Sequence, residues 1–146
     1  MMAHDLALAS AGVIFLVALL TGIWKYRCIM ASPEAQAPVY VDVAHRAALL
    51  YSFACVLLAE LAARSVWPNG VNAAAVLASV LFFVLAIAGY VQHGWLRDTD
   101  NQFRRPHRLG TGTIPDGFVT AFMGALIAAE VGGLLVLLSG YLASLG

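Results

Sequence analysis

The chain has 146 residues, 62% of them hydrophobic and only 11% charged; eight basic and eight acidic groups cancel, and the mean hydropathy is +0.85. This balance excludes an ordinary water-soluble domain, and it leaves no basic excess for binding nucleic acid. It belongs to a chain whose solvent is largely lipid.

Four apolar runs account for most of the sequence: Leu6–Trp24, Val41–Ala63, Val71–His93 and Ile114–Leu145. About 20 apolar residues cross roughly 30 Å of hydrocarbon as a helix. Backbone in lipid must satisfy its own hydrogen bonds, so each span is a helix or part of a closed barrel. The stretch Val13–Leu20 shows no period-two alternation, which favours helices. The expectation is an all-α fold, a single four-transmembrane-helix bundle over residues 1–146.

In chain order, Met1–Asp5 lacks the basic region of a cleaved signal peptide, so the first run reads as a mature helix. It ends on Trp24-Lys25-Tyr26-Arg27, an aromatic and basic group suited to the headgroup level. Ser32-Pro33-Glu34 reads as a turn, Pro38 keeps the chain extended, and Asp42 suits the first turn of the second helix. Trp67-Pro68-Asn69-Gly70 is a tight turn that makes the second and third helices antiparallel neighbours. The third helix is apolar until Tyr90, Gln92 and His93, and a long loop then leads through Gly110–Gly117 into the fourth. There, Gly124, Ala128 and Gly132 form a small-residue row that admits another helix, either within the bundle or from a second subunit.

The two long loops carry Lys25, Arg27, Arg97, Arg104, Arg105 and Arg108, whereas the connection on the opposite side carries only Arg64. The positive-inside rule places both loops in the cytoplasm and both termini away from it, as in a bacterial inner membrane. These loops also suit anionic lipid headgroups. Cys28 and Cys55 lack metal-type spacing and read as free thiols.

Ionisable groups inside a span are costly and need a reason. His45 lies one turn inside the second helix; His93, with Tyr90 on the same face, ends the third; His107 returns to that level in the loop. A neutral imidazole in an apolar helical pocket is a good axial ligand for haem iron. Arg46, Arg105 and Arg108 are candidates to pair with its propionates. A surface or hydrogen-bonded histidine is the plainer alternative. Glu60 and Arg64 read as an i, i+4 ion pair. Glu130, mid-span, reads first as a structural hydrogen-bond partner, and Tyr51 and Ser52 project from the middle of the second helix.

Three short matches, in order, carry a resemblance. Ser32-Pro33-Glu34 precedes the second helix, His45 opens that helix, and His107-Arg108-Leu109-Gly110-Thr111-Gly112 leads towards the last one. With Tyr90 near the end of the third span, the chain resembles the small integral-membrane isomerases, the styrene oxide isomerases and more distantly the hydroxylaminobenzene mutases. Tyr51 stands where the isomerase has an asparagine, and apolar sequence around Phe82 stands where it has an aspartate. The resemblance implies a homotrimer with haem b at subunit interfaces and His45 as the iron ligand. Arg46 and Arg108 would then help to hold the cofactor, and Tyr90 and Tyr51 would line the catalytic pocket. Ferric iron would act as a Lewis acid on a small hydrophobic substrate such as an aryl epoxide, giving a carbonyl compound without net redox change. Two alternatives stand beside it. One is a non-catalytic haem-binding sensor or electron carrier; the other is a glutathione-dependent four-helix membrane enzyme using Arg104, Arg105 and Arg108.

Overall fold

A computed structural model describes residues 2–146. It contains α1 (Ala3–Ala31), α2 (Val39–Arg64), α3 (Asn69–Leu96), a hairpin of β1 (His107–Leu109) and β2 (Gly112–Ile114), and α4 (Asp116–Ala143). All four helices are long and apolar enough to cross a membrane. The fold is all-helical apart from the small hairpin.

The helices outrun the apolar stretches because lipid fixes only the middle of each span. α1 continues through Lys25 and Arg27 to Ala31, and the chain then turns at Pro33–Glu34 with the Ala35 N–H donating to the Ser32 carbonyl at 3.0 Å. Prolines at 38, 68 and 115, all with extended ψ, immediately precede α2, α3 and α4. Proline lacks the N–H that a first turn would leave unpaired, so it starts a helix at little cost. The free backbone N–H of Ala3 instead finds the Asn69 side-chain oxygen at 2.8 Å, which ties the start of α1 to the start of α3.

Small residues let α1 and α2 pack closely: Ala7, Ala18, Ala44 and Ala48 are completely buried. Ala7, Ala18 and Ala48 join Ile14, Cys55, Leu58, Val76, Phe83 and Leu137 in one continuous core. α4 lies on the outside and buries only Gly133, Leu137 and Gly140. A Cβ on Gly133 would collide with the Ala75 carbonyl oxygen and the Ser79 hydroxyl. That hydroxyl donates to Ala75 O at 3.2 Å and reaches Ala129 O at 3.4 Å. The packing row on α4 is therefore Gly133, Leu137 and Gly140. Gly124 and Gly132, in the row read from the sequence, have no neighbouring atom within 4 Å of a built Cβ.

Two further expectations are corrected. The fourth helix begins at Asp116 instead of Ile114, because Ile114 pairs with His107 across the hairpin. Glu130 Oε1 is buried with no hydrogen-bond partner, where a structural hydrogen bond was expected. Arg64, one of the partners considered for it, is bound to Glu60 at 2.8 Å. Both cysteines are free, Cys28 half-buried and Cys55 buried.

Candidate functional site

The side chains singled out from the sequence fall in two places. The first is the outer groove between α1 and α2. His45 is half-buried there, and its Nδ1 lies 2.9 Å from the carbonyl oxygen of Ala18. A carbonyl only accepts, so Nδ1 carries the proton and donates it. In the neutral ring this leaves the lone pair on Nε2. The ring lies over Gly22, where a Cβ would come within 2.9 Å of Cε1 and 3.1 Å of Nδ1. Glycine at position 22 is what lets the imidazole lie against α1.

Among the described residues the only buried, unpartnered side-chain polar atoms are Asn72 Oδ1 and Glu130 Oε1. His45 Nε2, which no protein group bonds, is therefore not fully buried. Asp42, one turn earlier, pairs with Lys25 at 2.5 Å and with Arg46 at 3.5 Å. Arg46 is otherwise exposed. Leu19, Ile23, Leu50 and Phe53 keep the outer surfaces of α1 and α2 apolar.

The second place is a cavity of about 400 Å³ lined by α2, α3, α4 and the hairpin. Tyr51, Tyr90, His93, His107 and Arg108 line it together with apolar side chains such as Phe122 and Leu126. Tyr51 stacks on Phe83 with ring centroids 4.3 Å apart, and Tyr90 stacks on Tyr40 at 6.0 Å. Neither Tyr51 nor Tyr90 places its hydroxyl among the buried unpartnered atoms, so both hydroxyls have access to the cavity. Its size suits a small ligand, and its few polar groups suit orienting one.

A pinned loop forms one wall of the cavity. His93 Nδ1 donates to Asp98 Oδ1 at 2.8 Å, and the other Asp98 oxygen accepts the Gly110 N–H at 2.6 Å. Both ionisable side chains are almost fully buried, 8% and 4% exposed. Burial works against the Asp98 charge, but the bonds from His93 and Gly110 outweigh it and hold the carboxyl below its ordinary range. His107 Nδ1 donates to Gln102 O at 2.9 Å, and the Gln102 N–H donates to the Tyr40 hydroxyl at 2.6 Å. Gly110, at φ +59°, makes the two-residue hairpin turn that carries its own N–H to Asp98.

The five site residues thus separate. Tyr51, Tyr90 and Arg108 line one cavity, whereas His45 and Arg46 lie on the α1–α2 side and do not line it. Six positions along α2 turn Tyr51 well away from the direction of His45. Asp98, Gly22, Ala18 and Tyr40 were not foreseen. Asp98 is one of several loop acids, and Gly22 sits alone in an apolar run, so neither gives a local signal.

Among the described residues no group of three or more His, Cys, Asp or Glu is placed to hold a metal ion. A haem brings its own equatorial ligands and asks the protein for an axial one. His45, with its tautomer fixed by a backbone carbonyl and Nε2 unbonded in apolar surroundings, fits that requirement. Arg46, exposed and next to His45 in the chain, is the cation there that fits a carboxylate of such a group.

Fold and site together define a small helical protein with four potential membrane spans, one imidazole with a free ring nitrogen and one cavity lined by aromatic side chains. The chain matches no family model, no curated protein and no solved structure.

Proposed function

We propose that this chain is a haem b isomerase-like protein of the membrane, acting on a small hydrophobic substrate such as an aryl epoxide. The reading rests on the His45 imidazole: Nδ1 is bonded to Ala18 O at 2.9 Å and Nε2 has no protein partner on an apolar surface. An imidazole nitrogen facing hydrocarbon is costly unless something binds it. Haem b bound there supplies ferric iron as a Lewis acid, which serves ring opening and rearrangement of an epoxide to a carbonyl compound without net redox change.

The chain's own residues do the rest. His45 offers its lone pair, and the Ala18 carbonyl keeps the ring in that tautomer. Arg46 holds a propionate. Tyr51 and Tyr90 present hydroxyls to a substrate oxygen, and the apolar wall around them keeps water from the cationic carbon. A homotrimeric ring has a heterologous interface, so the α1–α2 face of one copy meets a different face of the next. That arrangement unites the imidazole with tyrosines and Arg108 that lie apart in a single copy. Both long loops lie in the cytoplasm of a bacterial inner membrane in this reading, with the termini on the other side.

The test is an absorption spectrum of the detergent-purified protein beside His45→Ala, before and after dithionite. A Soret band in the wild type that is lost in the variant supports the assignment. No Soret band after haem is supplied, or an unchanged band in the variant, refutes it.

A further inference from the structure

Four arginines, Arg97, Arg104, Arg105 and Arg108, line an open pocket of about 560 Å³ between the end of α3, the start of α2 and the loop. Two of them already have carboxylates: Arg104 pairs with Asp100 at 2.9 Å and Arg105 with Asp116 at 3.3 Å. Asp98 also lines the pocket, but its oxygens are engaged by His93 and Gly110. Among the described residues Arg97 and Arg108 have no carboxylate within ion-pair distance. Two guanidinium groups that line one pocket and hold no ion pair are free to take an anion.

The backbone of Arg97 supplies a second observation. It caps α3 in the left-handed region, at φ +51° and ψ +36°. Glycine or asparagine is the usual occupant there, because a larger side chain is disfavoured. A disfavoured backbone carrying an unpaired cation at a pocket edge is where strain and function commonly coincide.

Aromatic residues give the depth. Trp24 and Trp95 lie 6.4 Å apart at this end of the bundle, and Trp95 and Tyr26 are among the most exposed large side chains. An adjoining groove shares Pro38 and Arg97 with the arginine pocket and adds Trp24 and Arg27. Tryptophan and tyrosine gather at the headgroup level of a membrane, which is also the level of lipid phosphates.

We propose that Arg97 and Arg108 bind a phosphate group, the headgroup phosphate of an anionic phospholipid, with free phosphate as the other source of the same chemistry. Arg108 belongs to β1 and also lines the apolar cavity, so a phosphate held by both arginines ties the hairpin to the end of α3.

The experiment titrates the full chain, purified in a neutral detergent, with dihexanoyl phosphatidylglycerol, dihexanoyl phosphatidylcholine, inorganic phosphate and glutathione. Binding is followed by calorimetry and by tryptophan fluorescence. The expected result is at least tenfold tighter binding of phosphatidylglycerol than of phosphatidylcholine, weakened by added salt and lost at least tenfold in the Arg97→Gln, Arg108→Gln double variant. Equal binding of inorganic phosphate upholds the site and assigns its ligand to the solution. Arg104→Gln, which removes an arginine with its own carboxylate, is expected to change affinity less than threefold. Should the double variant not fold, Arg108→Gln in the exposed hairpin carries the comparison alone. Wild-type protein that binds neither phosphate probe, variants that bind as well as the wild type, or a preference for glutathione would each overturn the proposal.

Discussion

Replacing Asp98 with alanine tests how the loop is held over the cavity. The carboxylate is 4% exposed and takes two hydrogen bonds, from His93 at 2.8 Å and Gly110 at 2.6 Å. A hydrogen bond to a charged group contributes about 1.5–3 kcal/mol, so the pair holds the hairpin by about 3–6 kcal/mol. The stranded donors regain water once the loop lifts, which puts the expected loss near the lower figure, about 3 kcal/mol. That corresponds to roughly a hundredfold rise in loop opening. Hydrogen exchange of the detergent-solubilised protein reads this at the Gly110 amide, with the α1–α2 core as internal control. The effect is to be confined to the loop and hairpin, because the side-chain bonds of Asp98 run to His93 and Gly110. Its pH dependence has a definite sign. The folded-state pKa is depressed, so the stabilisation is complete above the unfolded value of about 3.9 and disappears as pH falls through the folded value. Wild type and variant should differ fully at pH 7 and converge below about pH 4. A Gly110 amide whose exchange changes less than tenfold at pH 7, or a difference that grows on acidification, refutes the reasoning.

Three further outcomes follow from the packing. Gly133→Ala forces a methyl group against the Ala75 carbonyl and the Ser79 hydroxyl, and should lower thermal stability by about 1–3 kcal/mol, whereas Gly124→Ala, in open space, should leave it unchanged or slightly raised. Gly22→Ala should push the His45 ring off the Ala18 carbonyl and shift or weaken any Soret band without unfolding the bundle; circular dichroism and absorption on one sample separate the two effects. Glu130→Leu removes a buried oxygen with no partner, and should raise the melting temperature of a single copy by the equivalent of about 1–3 kcal/mol. A fall in that melting temperature refutes this expectation.

Much of the fold was legible because lipid imposes a strong rule. Apolar length alone located four helices, and Glu60–Arg64 and the Pro33 turn followed from local chemistry. What was hidden depends on relations between distant residues. The small residues of α4 were legible as a pattern, but not which of them pack within the bundle. Gly132 and Gly133 look alike in sequence, and only the position of Ala75 and Ser79 on α3 decides which one needs the missing side chain. The hairpin was hidden for a similar reason. Its strands have three residues each, too short for alternation to show, and its stability comes from Asp98, a residue twelve positions before the turn glycine that it binds.

The candidate site divides along the same line. Residue types were legible: a lone histidine opening a helix, tyrosines at two levels, arginines in the long loop. Their grouping was not, because on a helix direction matters as much as depth. His45 and Tyr51 share α2, yet one faces α1 and the other stacks on Phe83 of α3. A single copy therefore keeps the His45 imidazole apart from the cavity tyrosines. Chemistry that uses both needs two copies whose contacting faces differ, which a ring provides and a two-fold dimer, joining like faces, does not. Chemistry that uses His45 alone needs only one. Mixed assemblies of two tagged variants, His45→Ala and Tyr90→Phe, separate these cases. If haem and tyrosine act across copies, a mixed assembly contains interfaces with both wild-type residues and regains activity that neither variant has alone. If His45 acts alone, Tyr90→Phe keeps its activity unmixed, and mixing restores nothing further.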